Sequence, residues 1–231
     1  MVTPTPTPEW RPYVVAIVVV FSLASTSLAS KVQPGVATAR ELLRFLGVHS
    51  GLMVSTVALA AFCGPALPVA PWSLAGAFWQ SVTGLALGHI ALVADNKLIR
   101  YSRRWERGAP GVVLRQTHGM GANQQVAHLI LLCAVAILEE VLFRGVLVEL
   151  SFRPASPAVQ CFLLALNVPL FAMTHAYGGL VQVIAKIPLG LFCLVTALTF
   201  HTLLAPLIIH LHFNLSVSRA GFFGLLRRSP K

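Results

Sequence analysis

Apolar runs long enough to cross a lipid bilayer recur along most of this chain, and they constrain its fold more than any other feature. The hydrocarbon core of a bilayer takes about 20 mostly apolar residues in a helix. Such runs lie near 13–30, 51–70, 77–95, 126–150, 158–176, 181–200 and 203–218. The last is short, and Lys186, near the start of 181–200, is expected to snorkel its ammonium toward the interface. The expected fold class is all-α: a polytopic transmembrane helix bundle of about seven spans, six at the fewest and eight at the most. It forms one integral membrane domain over residues 1–231. The shorter amphipathic stretch 36–46, VATARELLRFL, is expected to lie on the membrane surface. There is no internal repeat, and the N-terminal TPTPTP is expected to be disordered.

Composition agrees with a lipid environment. Only 10% of the residues are charged and 56% are hydrophobic, against about 25% charged in a soluble domain. The net charge of +10 does not call for a nucleic-acid partner, because the cations sit between the apolar runs. Lys31, Arg40 and Arg44 form one group, Lys97, Arg100, Arg103, Arg104, Arg107 and Arg115 a second, and Arg219, Arg227, Arg228 and Lys231 a third. With seven spans all three groups fall on one side, Arg153 being the exception on the other. The positive-inside rule makes that side cytoplasmic. The protein is therefore expected in the plasma membrane with its C-terminus in the cytoplasm, its N-terminus outside and lipids as partners. "SLAS" at 27–30 is a weak cleavage signal, and a long first run preceded by only one Arg and one Glu reads as a retained span. Cys63, Cys133, Cys161 and Cys193 lie inside apolar runs with no CxxC pair or zinc-ligand spacing, so they read as small buried hydrophobes.

One apolar run holds three ionisable groups, in AILEEVLFRG at 136–145. An ionised group at the centre of a membrane helix costs roughly 2.5–3.5 kcal/mol. At about 100° per residue, Glu140 and Arg144 lie about 40° apart and one turn along, so they pair as i, i+4 neighbours. Glu139 points about 100° away from Glu140 and has no local partner. Two further polar stations follow. FAMTH places His175 one turn after Phe171, and HLHFN places His210 and Asn214 on one face, with His212 turned about 160° from His210. Taken singly, each has a bland reading as a hydrogen-bonded structural residue or helix glue. Together, an acid, an imidazole and an imidazole–amide pair suit hydrolysis: a carboxylate helped by an imidazole activates water, and a second imidazole with an amide donates to an oxyanion. No nucleophile stands out: Ser151, Ser156 and Thr174 flank these stretches without a GxSxG setting, and HExxH is absent. Glu139, His175 and His210 would also make a two-His, one-carboxylate set for zinc.

These three stretches resemble the EExxxR, FxxxH and HxxxN motifs of the CAAX-protease and bacteriocin-processing family, also called the abortive-infection family. The motifs occur in the same order, with one apolar span between the second and third. The resemblance covers about residues 125–218. It implies an all-helical intramembrane endopeptidase in which Glu139 and His175 activate water and His210 and Asn214 stabilise the oxyanion. Glu140, Arg144 and Phe171 are supporting residues. The favoured mechanism is of the glutamate type and needs no cofactor, although members of the family have often been considered metal-dependent. Near His175 and His210 the local sequence offers no carboxylate to orient a metal-bound imidazole, since Glu149 is the last acidic residue. The implied substrate is a peptide or membrane protein, prenylated for the eukaryotic members. The alternatives are a proton-coupled transporter, which would show repeated halves, and an inert relative serving as an immunity or scaffold protein.

Overall fold

A computed structural model describes residues 39–62, 73–102, 121–152, 156–176 and 179–226. The expected first span at 13–30, most of the basic loop residues and Cys63 lie outside them. Among the described residues the chain is helical with no strand. The elements are α1 (Ala39–Phe62), α2 (Leu74–Ser102), α3 (Ala122–Glu140), a π-helix (Val141–Leu147), α4 (Val148–Ser151), α5 (Pro157–Met173), α6 (Leu180–Phe200) and α7 (Leu204–Leu226). Among the described residues three stretches are long and apolar enough to cross a membrane: Leu74–Tyr101, Asn123–Ser151 and Leu180–Phe200. Shorter apolar helices cover Leu43–Ala58, Pro157–Met173 and Leu204–Ser218. The all-α bundle expected from the sequence is thus present, with a helix at each of the six expected spans after the first.

Three expectations need correction. Of the described cysteines Cys193 is buried, but Cys133 is half-buried and Cys161 is exposed on the outer face. Residues 39–46 do not form a separate surface helix; they are the first two turns of α1. Phe45, Leu46, His49, Met53 and Thr56 are all buried, and their spacing makes a single stripe running through the junction. Gly47 and Gly51 leave the helix intact. Lys186 does not snorkel. Its Nζ lies 2.6 Å from Asp95 Oδ1 on α2, with both side chains almost wholly buried, and 4.5 Å from the centre of the Phe213 ring. A buried partner and an aromatic face together replace the water the ammonium would otherwise reach.

The core draws on all of the long helices. Met53, Ala91, Leu142, Phe143, Phe171, Leu189, Cys193, Ile209 and Phe213 belong to one buried cluster. α1 packs on α3, α3 on α7, α7 on α2 and α6, and α6 on α5. The close approach of α2 to α7 needs small residues: a Cβ at Gly84 would meet Ile208, and one at Gly88 would meet the Ile209 carbonyl, each at 2.9 Å. Large apolar side chains such as Phe78, Trp79, Ile130 and Phe162 point outward, while Asp95, Glu139, Glu140, Arg144 and Lys186 are buried. That inversion is the distribution of a protein whose outer solvent is lipid.

Candidate active site

The site begins where α3 widens into the π-helix. Such turns carry i→i+5 hydrogen bonds and occur often at functional sites. Glu139 and Glu140 are the last two residues of α3, and Arg144 lies within the π segment. A continued π ladder would direct the Val148 N–H to the Phe143 carbonyl, but it bonds Gly145 instead. Asn167 on α5 supplies a donor to that carbonyl, Nδ2 to O, at 2.6 Å. Asn167 does not stand out in the sequence; a lone amide inside the apolar run 158–176 is its only signal.

Glu140 and Arg144 pair as their spacing predicts. Arg144 Nε lies 3.3 Å from Glu140 Oε2, and neither side chain is exposed. Arg144 also donates through a terminal nitrogen to the Gly190 carbonyl at 2.8 Å and lies 4.3 Å from the centre of the Phe171 ring. His210 adds a third contact, its Nδ1 standing 2.7 Å from Glu140 Oε1. Phe171 therefore supports the site from its middle. Its ring sits edge-on to Phe143 and His210 at 5.5 and 5.6 Å, and 5.4 Å from His175. Gly190 makes room for it, since a Cβ there would meet Phe171 Cδ1 at 2.8 Å.

Glu139 has a different set of neighbours. His210 Nε2 faces its Oε2 at 3.5 Å, an ion-pair contact longer than a hydrogen bond, and Oε2 accepts no hydrogen bond. Thr174 Oγ1 lies 3.2 Å from Oε1, 2.7 Å from the Phe171 carbonyl and 3.0 Å from His175 Nδ1. A hydroxyl has one proton to give. Whichever oxygen receives it, the Thr174 lone pairs remain for the His175 Nδ1–H, and Nε2 becomes the basic nitrogen of that ring. When that proton goes to Glu139, Thr174 joins His175 to the carboxylate. In the sequence Thr174 is only a residue flanking the motif; its place between acid and imidazole is a feature of the fold.

His49 is a second residue that the sequence does not flag. It comes from α1 and is buried, with Nε2 3.7 Å from Glu139 Oε1. Asn214 stands apart from the carboxylates. It lies one turn beyond His210 on α7, half-buried, and donates to the Leu132 carbonyl at 3.4 Å. His210 faces residues 139–140 while Asn214 faces 132, so α7 runs antiparallel to α3. His212, on the other side of α7, lies tilted against His89 of α2 with ring centres 6.3 Å apart.

Glu140 occupies the Nδ1 side of His210, the place a carboxylate takes behind a metal-bound imidazole, so the missing local carboxylate no longer weighs against metal. Yet among the described residues no group of three or more His, Cys, Asp or Glu side chains is placed to hold a metal ion.

Residues 122–216 match the family described as Type II CAAX prenyl endopeptidase Rce1-like. The curated proteins and the solved structures contain no match to the chain. The matched segment holds Glu139, Glu140, Arg144, Phe171, His175, His210 and Asn214, and leaves out α1 and α2. The match at residues 122–216 is to the family that the three motifs resemble.

Proposed function

We propose that the protein is an intramembrane endopeptidase that hydrolyses a peptide bond with water activated by Glu139 and His175. The observation that carries the reading is the unequal treatment of two adjacent buried carboxylates. Glu140 is paired with the Arg144 guanidinium and is met by His210 Nδ1 at 2.7 Å. Glu139 has imidazoles and the Thr174 hydroxyl around it in place of a guanidinium. The first is built as a support and the second as a base.

In this mechanism the water oxygen attacks the scissile carbonyl carbon as its proton passes to Glu139 Oε2 or His175 Nε2. The carbonyl oxygen becomes an oxyanion. His210 Nε2 donates to it, which requires the His210 ring to carry a proton on each nitrogen, and the Asn214 amide adds a second donor on leaving the Leu132 carbonyl. Glu140 pairs with that charge through Nδ1. The C–N bond then breaks, and the proton is returned to the leaving nitrogen. No cofactor takes part. The substrate class is a peptide or membrane-protein segment, lipidated or not, reaching the site from the cytoplasmic side or from the lipid. The protein resides in the plasma membrane with its C-terminus in the cytoplasm, as the distribution of Lys and Arg argues.

The test is cleavage by purified protein in vesicles, read by mass spectrometry. One peptide set ends in a prenylated CAAX-type sequence and another has no lipid. Wild type should cleave, and Glu139→Gln should be at least about 100-fold slower, the usual weight of a general base. Equal rates for the two proteins, or no cleavage of either set by wild type, would remove the reading.

A further inference from the structure

Resting on the peptidase reading, we propose that His49, on a helix outside the Rce1-like segment, is a positioning residue that fixes which oxygen of Glu139 acts as the base. His49 is buried, and its Nδ1 has no hydrogen-bond partner. Its ring lies parallel to Phe45, with centres 6.0 Å apart. Among the described residues its Nε2 edge meets Glu139 Oε1, at 3.7 Å. Two neutral tautomers are open to the ring. With the proton on Nδ1, a buried donor would have no acceptor and a lone pair would face a carboxylate oxygen. With the proton on Nε2, the ring donates toward that oxygen and leaves only a weak acceptor unsatisfied. The Nε2–H form is the one this pocket selects, and closing the gap by about half an ångström makes a charge-assisted hydrogen bond.

Glu139 is then held from two helices. Oε1 has His49 of α1 at 3.7 Å and Thr174 Oγ1 at 3.2 Å, and Oε2 faces His210 on α7. A donor on Oε1 stops the carboxylate from rotating about its last bond, so Oε2 stays turned toward the proposed oxyanion donor. Without the donor the base is present but loosely aimed, and a misplacement of about 1 Å costs roughly 100-fold in rate.

The selected tautomer implies a specific pattern of rescue. His49→Leu removes the donor and keeps an apolar side chain beside Phe45. His49→Gln puts an amide N–H near the position of Nε2, whereas His49→Asn puts it near Nδ1. His49→Leu should lower kcat by about 10- to 100-fold with KM within about twofold. His49→Gln should recover most of the loss and His49→Asn should not. A structural role alone would move folded yield and not this pattern.

Melting temperatures in detergent give a readout that needs no substrate. His49→Leu should lower Tm by about 2–4 °C in the wild-type background and by clearly less in Glu139→Gln, the coupling expected of residues in contact. A kcat unchanged in His49→Leu, rescue by Asn equal to rescue by Gln, or additive Tm shifts would each overturn the proposal. Failure of wild type to cleave any peptide would overturn the peptidase reading instead, and the Tm cycle alone would then decide the contact between His49 and Glu139.

Discussion

Glu139 and Glu140 are adjacent, both buried and both in contact with His210, but it is Glu140 that pairs with Arg144, so substitutions should separate them. Arg144→Ala strands Glu140 in the interior, and breaking a buried pair costs roughly 3–5 kcal/mol. Folded yield after size-exclusion chromatography should fall sharply. Arg144→Lys should not restore it, because an ammonium cannot at once serve Glu140, the Gly190 carbonyl and the Phe171 face. Glu139→Gln keeps the shape and removes a buried charge, so its yield should match wild type while cleavage is lost. The reverse pattern would exchange the two roles. Chelation bears on the same residues. If Glu139 and His175 activate water unaided, cleavage should persist in strong chelators, and elemental analysis should find no stoichiometric zinc. Loss of cleavage on chelation with recovery on zinc would overturn that mechanism. The Glu140–Arg144 pair is legible in the sequence because both residues belong to one helix, where spacing fixes direction. His49 is not, since nothing in its own helix shows that a carboxylate about 90 residues further on packs against it.

The π-helix is the element on which the site depends, and it is invisible in a pattern read at 3.6 residues per turn. It places Arg144 under Phe171 and leaves the Phe143 carbonyl to Asn167. Asn167→Leu removes that donor and should cost about 1–3 kcal/mol, measurable as a lowered melting temperature. Gly190→Ala forces a methyl group against the Phe171 ring. Overpacking of this kind costs about 1–3 kcal/mol, and cleavage should fall along with Tm, because the same ring touches His175 and His210. An unchanged Tm in either variant would mean that the ring and the π turn do not depend on these neighbours. At this scale the sequence places the later helices well, because long apolar runs end at polar or turn residues. It misplaces the start of α1, where VATARELLRFL looks amphipathic alone and only the burial of Phe45 and Leu46 against α3 shows the helix to be continuous.

At the scale of the molecule, two buried ion systems tie the bundle together. One is the Glu140–Arg144 pair with His210. The other is Asp95–Lys186, which links α2 to α6 beside Phe213 of α7. Asp95→Leu and Lys186→Met should each be destabilising by roughly 3–5 kcal/mol, since each leaves the opposite charge unpaired. The double variant should recover most of the lost Tm, because two apolar side chains leave no charge to solvate. A double variant no better than the worse single one would show that the pair does more than balance charge. The outer surface carries the opposite chemistry. Phe78, Trp79, Ile130 and Phe162 face away from every polar group in the site, and helices satisfy their own backbone hydrogen bonds whatever surrounds them. The preference for lipid over water is therefore written on side chains that take no part in catalysis. Polar replacements confined to those outward positions would change the solvent in which the bundle lives and leave the packing around Glu139 as it is, which makes transfer of the site into water a problem of surface redesign.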